Sequence, residues 1–157
     1  MPSRSPRKPT HRRRRRPGWF RPVPLRARAD GWSEARQCGF LSALYVTGSV
    51  AAAARAVGMT RASAYRLRDR KGAGSFAAIW DRVLTPPGCG HVAASKPDFR
   101  KVTLPTLMSW LDTGFIQPVI YRGRMCHIRR KPDDSTLFRL LRRLGEDVDP
   151  KADWSRA

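Results

Sequence analysis

The stretch VAAAARAVGMTRASAYRLR, residues 50–68, decides the fold of this chain. Ser49 can cap a short alanine-rich helix over residues 50–57, because a serine hydroxyl accepts a hydrogen bond from a backbone N–H of the first helical turn. Thr60 can cap a second helix in the same way, and that helix is predicted from residue 61 to about residue 70. The pattern therefore predicts two short helices joined by a tight turn.

The spacing within this stretch matches what a helix-turn-helix requires. Its first helix needs a very small residue where the second helix crosses it, and Ala54 supplies one. The turn needs a residue that tolerates a left-handed backbone, and Gly58 follows four residues later. The side chains predicted to pack inward are Val57, Met59, Ala64 and Leu67. Those left outward are Arg61, Ala62, Ser63, Tyr65, Arg66 and Arg68.

An arginine-rich outer face on a capped helix is typical of DNA recognition in the major groove, where one arginine can make two hydrogen bonds to a guanine edge. An ordinary alanine-rich helical hairpin is the competing interpretation. The small-residue spacing, the inward positions, the cap and the outer arginines all agree, which favours DNA binding. The predicted contact residues on this helix are Thr60, Arg61, Ala62, Ser63, Tyr65, Arg66 and Arg68.

The net charge of the chain supports a polyanionic partner. The 157 residues carry a formal charge of +20, and the pI is about 11.6. Double-stranded DNA is the expected partner, because cations that neutralise phosphates release counterions and bind with a strong salt dependence. No basic amphipathic helix, lipidation signal, secretory signal or apolar run of spanning length is found, so no membrane partner is expected. The three cysteines lack paired spacing, which indicates a reducing cytoplasm, and the DNA partner implies association with the nucleoid.

The cations are concentrated at the N-terminus, where residues 1–29 are rich in arginine and proline. Prolines disfavour helix and like charges repel, so this segment is predicted to be a disordered arm. A flexible cationic arm beside a DNA-reading head can contact phosphates or follow a minor groove, while a solvated tail is the alternative. Its central cations, predicted to bind DNA, are Arg12, Arg13, Arg14, Arg15 and Arg16.

The rest of the chain is predicted to be mainly α-helical. A helix-turn-helix bundle of three to four helices is expected over residues 31–84, followed by a linker over residues 85–97. Residues 98–146 are expected to form a small α+β segment: a helix capped by Thr103, one β-hairpin, and a last helix capped by Asp134 or Ser135. Residues 147–157 are a polar tail.

Basic side chains on the predicted hairpin suggest a second DNA contact, a wing beside the recognition helix. The hairpin could instead support a dimer or pack on the head through its apolar residues. The arginines in question are Arg122, Arg124, Arg129 and Arg130.

Two resemblances extend these observations. The run GSVAAAARAVGMTRASAYRLR, residues 48–68, resembles the helix-turn-helix of many bacterial and phage DNA-binding proteins, including resolvase-type, TetR-type and small-terminase members. This resemblance implies that Thr60 and Ser63 contact phosphate or base. It also implies that Arg61 and Arg66 reach bases or phosphates and that Tyr65 contacts the backbone. Residues 114–144 carry the pattern GxxxPVxYxGR, then an arginine pair, then an aspartate and LxxLLR. This pattern is similar to the C-terminal half of phage small-terminase-like proteins, in which the downstream segment serves oligomerisation and motor contact.

Catalytic and metal-binding patterns are absent from the sequence. Cys89 with His91, and Cys126 with His127, could suggest zinc, but these spacings do not fit a finger or a ribbon. The acids at 133–134 are interpreted as a helix cap, and no glycine-rich phosphate loop is present. No enzyme activity, metal, cofactor or small-molecule ligand is therefore expected.

The function predicted from sequence is sequence-specific binding of double-stranded DNA by a non-enzymatic protein. The leading hypothesis for its role is a transcriptional regulator. A single head makes few base contacts, so a homodimer, a higher oligomer or accessory contacts would supply the rest. The first alternative is a small-terminase-like DNA-packaging subunit. A further alternative is a nucleoid-associated or RNA-binding protein without sequence preference.

Overall fold

A computed structural model describes residues 14–90 and 96–146, which form six α-helices and one antiparallel two-stranded hairpin. The mainly helical fold with a single hairpin, predicted from the sequence, is confirmed. In chain order the elements are α1 (Glu34–Thr47), α2 (Val50–Ala56), α3 (Arg61–Arg68), α4 (Gly74–Leu84), α5 (Leu104–Thr113), β1 (Phe115–Tyr121), β2 (Arg124–Lys131) and α6 (Asp134–Glu146).

The described residues divide into two compact units. Unit 1 contains the described residues up to Lys96 together with Phe115–Arg130, and unit 2 contains Pro97–Gly114 together with the described residues from Lys131 onward. This division differs from the predicted one, which kept residues 98–146 in one segment. The hairpin belongs to unit 1 because β1 packs against α1, and its buried side chains join the core of that unit.

An aromatic cluster forms the centre of unit 1. The ring of Phe40 on α1 lies 4.8 Å from that of Trp80 and 6.0 Å from that of Phe76, both on α4. Trp32, which precedes α1, meets Phe40 edge-on at 5.6 Å. Such pairs add to the stabilisation that comes from burying the rings themselves. The cluster joins α1, α4 and the chain before α1 into one core.

The predicted disordered arm, residues 1–29, is corrected in its second half: from residue 14 onward it packs on unit 1, and residues 1–13 lie outside the described residues. Phe20 is fully buried, and its ring lies 6.0 Å from that of Phe76. Val23 and Pro17 are also buried. Prolines exclude a helix here but allow an extended chain, and the apolar residues between the arginines gain from burial.

The extended N-terminal segment pairs with the free edge of β1. Phe20 and Ile116 exchange two backbone hydrogen bonds of 3.0 and 2.9 Å, so Ile116 turns both its backbone groups away from β2. Pro118 lies two residues further on and faces the same edge, where its missing N–H removes no bond to β2. The N-terminal segment thus protects an edge that would otherwise expose unpaired backbone groups.

Local capping signals largely account for the helix boundaries. Ser33 caps α1, and Gly48 ends it with the positive φ of 69° that favours glycine. Helix α4 is an exception, because it begins at Gly74 without a side-chain cap. The hydroxyl of Ser75, in the first turn of α4, accepts a hydrogen bond of 2.8 Å from the backbone N–H of Arg21.

Unit 2 is built mainly from α5 and α6. Leu107 on α5 is fully buried and Leu140 on α6 nearly so. The cap of α6 is Asp133, not the predicted Asp134 or Ser135, since the Asp133 carboxylate accepts hydrogen bonds from the backbone N–H (3.1 Å) and the hydroxyl (2.6 Å) of Thr136. Unit 2 is therefore a small helical layer with a well-defined start to its second helix.

Candidate nucleic-acid interface

Helices α2 and α3 are joined by a tight turn whose hydrogen bonds close on the end of α2. The N–H of Gly58 donates to the carbonyl of Arg55 at 3.0 Å, and that of Met59 donates to the carbonyl of Ala54 at 2.9 Å. Gly58 has a φ of 74°, so the left-handed backbone predicted for this position is confirmed. The turn orients α3 immediately after the small residues of α2.

The inward side of this helical pair agrees with the predicted pattern. Ala64 is fully buried and Leu67 almost so, while Val57 and Met59 are partly buried against the same core. Ala54 is also fully buried. The small side chain at Ala54 leaves room for α3 to pack against α2. Because one side of α3 is buried in this way, its opposite side faces solvent.

The outward side of α3 presents two arginines. Arg61 and Arg66 are exposed, and Ala62 beside them is exposed but lacks polar side-chain atoms. Thr60 is also exposed, yet its hydroxyl is the N-cap and accepts a hydrogen bond of 3.1 Å from the N–H of Ser63. The free hydrogen-bonding capacity of this face therefore resides mainly in the two guanidinium groups.

Ser63 is held in place by a tryptophan outside the helix. The indole Nε1–H of Trp32 donates to the Ser63 hydroxyl oxygen at 2.8 Å, and Trp32 itself is buried. A hydroxyl that accepts a hydrogen bond keeps its own proton for donation to another acceptor. The contact thus orients Ser63 as a donor on the surface of α3, a role the sequence did not reveal.

Replacing Ser63 with alanine is expected to lower the free energy of unfolding by about 1–3 kcal/mol, because the buried Trp32 N–H loses its acceptor. Chemical denaturation of Ser63→Ala, Trp32→Phe and the double variant measures this coupling. The Trp32→Phe change keeps an aromatic ring but has no N–H, so adding Ser63→Ala to it should cost much less. Fully additive effects would show that the two side chains are not coupled.

Tyr65 and Arg68 of α3 pack on α4 and are less available than the sequence suggested. The Tyr65 ring lies 5.3 Å from that of Trp80 and is 39% exposed. The guanidinium of Arg68 lies 5.2 Å from the Trp80 ring and forms an ion pair of 2.8 Å with Asp81. Arg68, predicted to bind DNA, is thus committed to joining α3 and α4.

The Arg61 side chain is held by a contact with Tyr65. Its guanidinium lies 5.6 Å from the Tyr65 ring, one helical turn further along α3. A cation above an aromatic face is attracted by the ring quadrupole. The stack of Arg61, Tyr65 and Trp80 restricts the Arg61 side chain and reduces the entropy it would lose on binding.

Two residues of the chain before α1, Pro24 and Trp32, contact α3 or the residues just after it, which sequence reasoning missed. Pro24 lies against Gly72, just beyond the C-terminal end of α3, and Trp32 contacts Ser63 in the first turn. These two contacts bring Pro24 and Trp32, the ends of the segment over residues 24–32, close to the chain after α3 and to its first turn. Arg26 and Arg28 in this segment are exposed. Nothing in the proline-rich run signalled the contacts of Pro24 and Trp32.

The predicted arginine cluster of the arm is partly occupied by structural contacts. The guanidinium of Arg14 donates to the carbonyls of Tyr45 (3.0 Å) and Val46 (3.1 Å) at the end of α1, where a cation complements the helix dipole. Arg15 donates to the carbonyl of Gly90 at 2.6 Å, and Arg16 to that of Ile120 at 3.3 Å. Arg12 and Arg13 lie outside the described residues.

The Arg14 contact also explains the glycine that follows α1. A side chain at Gly48 would overlap the Arg14 guanidinium, and its φ is positive. Gly48 therefore both ends the helix and leaves room for the arginine that covers its last carbonyls. Arg14 is a structural residue of unit 1, rather than a free cation of a disordered arm.

The hairpin arginines fall into two groups. Arg130 forms an ion pair with Glu34 at the start of α1, and Arg129 lies 5.5 Å from the Trp19 ring. Arg122 and Arg124, beside the turn of the hairpin, are exposed. Arg122 has a positive φ of 50° in the hairpin turn, and its guanidinium lies 5.2 Å from the Tyr121 ring. Arg129 and Arg130 thus attach the hairpin to unit 1.

The groups that could have carried metal chemistry are separated. Cys38 is buried, and burial raises the pKa of its thiol to about 12, whereas Cys89 and Cys126 are exposed. Among residues 14–90 and 96–146, no three His, Cys, Asp or Glu side chains come together as metal ligands would. No helix in these ranges combines the length and apolar character needed to cross a membrane.

The chain was compared with known proteins at three levels. No protein-family model, curated protein or solved structure matches it.

Proposed function

We propose that this protein binds double-stranded DNA in a sequence-specific manner, with α3 as the recognition helix, and that it acts as a transcriptional regulator. The observation that carries the proposal is the exposed face of α3. There Arg61 and Arg66 are presented to solvent by a helix whose other side is anchored through Ala64 and Leu67. A rigid helix with outward arginines suits base readout in a major groove.

Two exposed cations in the chain before α1 support this proposal. Arg26 and Arg28 lie between Pro24 and Trp32, which contact Gly72 and Ser63, and exposed cations near a recognition helix can neutralise phosphates. Phosphate contacts set the position of a protein on the duplex, while base contacts set its sequence preference. In the proposed interface the segment before α1 supplies position and α3 supplies specificity.

Selection of bound sequences from a random DNA pool at physiological salt tests the function itself. An enriched motif, whose binding survives competition by random DNA, is the expected result. A two-fold symmetric motif would add that two copies bind together. If no motif is enriched and the protein binds all duplexes, or RNA, with equal affinity, sequence-specific recognition would be contradicted. That result would favour a nucleoid-associated or RNA-binding role.

The mass of the protein in solution separates regulation from DNA packaging. A regulator is expected as a monomer or a dimer, because operators present one or two half-sites. A ring of many subunits would instead favour the packaging role suggested by the resemblance of residues 114–144.

Removing Arg26 and Arg28 is expected to reduce the salt dependence of DNA binding. Each phosphate contact contributes about 0.9 to the slope of log affinity against log salt, so the double alanine variant should lower the slope by about 1.8. The slope is measured on the selected duplex and on random DNA, and both should change alike. Arg100→Ala with Arg142→Ala removes the same charge from unit 2 and should leave the slope unchanged. An equal slope in wild type and the Arg26 and Arg28 variant would remove this segment from the interface.

A further inference from the structure

An open groove on unit 2 combines an apolar floor with a cationic rim. It has a volume of about 570 Å³ and is formed by α5, α6 and the loop before α5. Half of its lining residues are apolar and half are arginines, and none is acidic. The apolar ones, called the floor, are Phe99, Leu104, Leu107 and Leu144, and the arginines, called the rim, are Arg100, Arg139, Arg142 and Arg143.

The floor of the groove is more apolar than the folding of unit 2 requires. Leu107 is fully buried, but Leu104 is 43% exposed and Leu144 is 50% exposed. Apolar residues recur on both helices at the spacing of a single face, and much of that face remains open to solvent. Contiguous exposed apolar surface of this kind marks an interaction site more often than a solvated one.

Two of the rim arginines build the groove. Arg143 donates to the backbone carbonyls of Val102, at 2.6 Å, and of Phe99. The guanidinium of Arg139 lies 3.5 Å from the Phe99 ring, which also meets Trp110 edge-on at 6.3 Å. These contacts hold the loop before α5 against α6, so the groove exists before a ligand arrives and little ordering is needed on binding.

The other two rim arginines are free to receive a ligand. Arg100 and Arg142 are exposed, and none of the hydrogen bonds or ion pairs seen among the described residues uses their guanidinium groups. Guanidinium groups bind carboxylates through two parallel hydrogen bonds. The groove therefore offers carboxylate-binding groups beside an apolar floor.

We propose that this groove binds an acidic amphipathic segment of a partner protein. Apolar side chains of the segment occupy the floor and its carboxylates pair with Arg100 and Arg142, as in other helix-in-groove recognition. Charge complementarity selects this occupant. A second copy of the chain would bring the same arginines into opposition, which disfavours pairing through this groove. A nucleic acid would satisfy the arginines but has few groups to cover exposed leucines.

This inference does not depend on the proposed DNA binding. Unit 2 would recruit a protein, whichever nucleic acid unit 1 reads. Together the two activities would bring an acidic partner to a site on DNA.

Fluorescence anisotropy with the full chain tests the proposal. The probe is a labelled synthetic helix of about four turns with a leucine face and flanking glutamates. We expect micromolar binding, weakened about tenfold or more when the glutamates become glutamines, and by a similar factor when the leucines become serines. Equal binding of all three peptides would contradict the proposal.

Variants of the protein locate the binding. Arg100→Glu with Arg142→Glu should weaken the acidic peptide about tenfold or more, while Arg70→Glu with Lys71→Glu makes the same charge change at exposed residues of unit 1 and should leave peptide binding unaltered. Leu104→Ser tests the floor without changing charge, and circular dichroism confirms that each variant is folded. A short single-stranded oligonucleotide is the competing probe. If the Arg100 and Arg142 variant lost the oligonucleotide but kept the peptide, the groove would be a nucleic-acid site and the proposal would fail.

Discussion

Replacing Arg61 and Arg66 together with alanine is expected to weaken binding of the selected DNA sequence by at least about thirtyfold. Each arginine that contacts a guanine edge contributes about 1–3 kcal/mol of discrimination, and the two lie on the same exposed face of α3. Affinity for random DNA should fall much less, because only two of many cations are lost. The measurement is a titration of both duplexes at one fixed salt concentration.

The matched control for this prediction removes two arginines from unit 2. Arg100→Ala with Arg142→Ala changes the net charge equally, so any general electrostatic effect appears in both variants. The control should keep its preference for the selected sequence. A loss of less than about twofold in the α3 variant, or an equal loss in the control, would contradict the role of α3 as the recognition helix. Neither double variant should unfold the protein, because all four replaced side chains are exposed, so a loss of affinity can be distinguished from misfolding.

Replacing Phe20 with alanine is expected to lower the free energy of unfolding by about 3–5 kcal/mol. Phe20 is fully buried against Phe76 and pairs with Ile116, so the truncation opens a cavity beneath the N-terminal segment. This is a large part of the 5–15 kcal/mol typical of a whole domain. Urea denaturation measures the change, and the control Arg16→Ala should remain within about 0.5 kcal/mol of wild type.

A small effect of Phe20→Ala, below about 1 kcal/mol, would show that residues 14–23 do not form part of the core. The prediction also affects how the N-terminal cations can be studied. Deleting residues 1–29 would remove Phe20 and Val23 along with the arginines, and the resulting loss of stability would be confused with loss of phosphate contacts. Alanine substitutions at individual arginines separate charge from packing.

Much of the helical framework could be predicted because its signals are local. Ser49 and Thr60 cap α2 and α3 through hydroxyls that accept hydrogen bonds from the N–H groups three residues further along, and Gly58 adopts the positive φ that the turn needs. Each signal acts within one helical turn of its own position. The inward residues of α3 follow from helical periodicity in the same way.

The composition of the candidate interface could be predicted only in part. Arg61, Ala62 and Arg66 are exposed as the helical pattern indicates, yet the same pattern placed Arg68 among the free cations. Its pairing with Asp81 and its contact with Trp80 depend on the packing of α4 against α3. Helical periodicity predicts which side chains of a helix face away from the protein core, but not which neighbouring element those side chains contact.

The sequence by itself determined the mainly helical class, the bounds of α2 and α3 to within a few residues, the presence of one hairpin and the cationic character of the chain. Only the tertiary structure decided that Phe20 pairs with Ile116, that Trp32 orients Ser63, and that the hairpin joins unit 1. These contacts join residues far apart along the chain, and their stability comes from burial and shared hydrogen bonds in three dimensions. No local period or cap encodes such proximity, so an arginine- and proline-rich stretch that resembles a disordered arm becomes, in part, a component of the core.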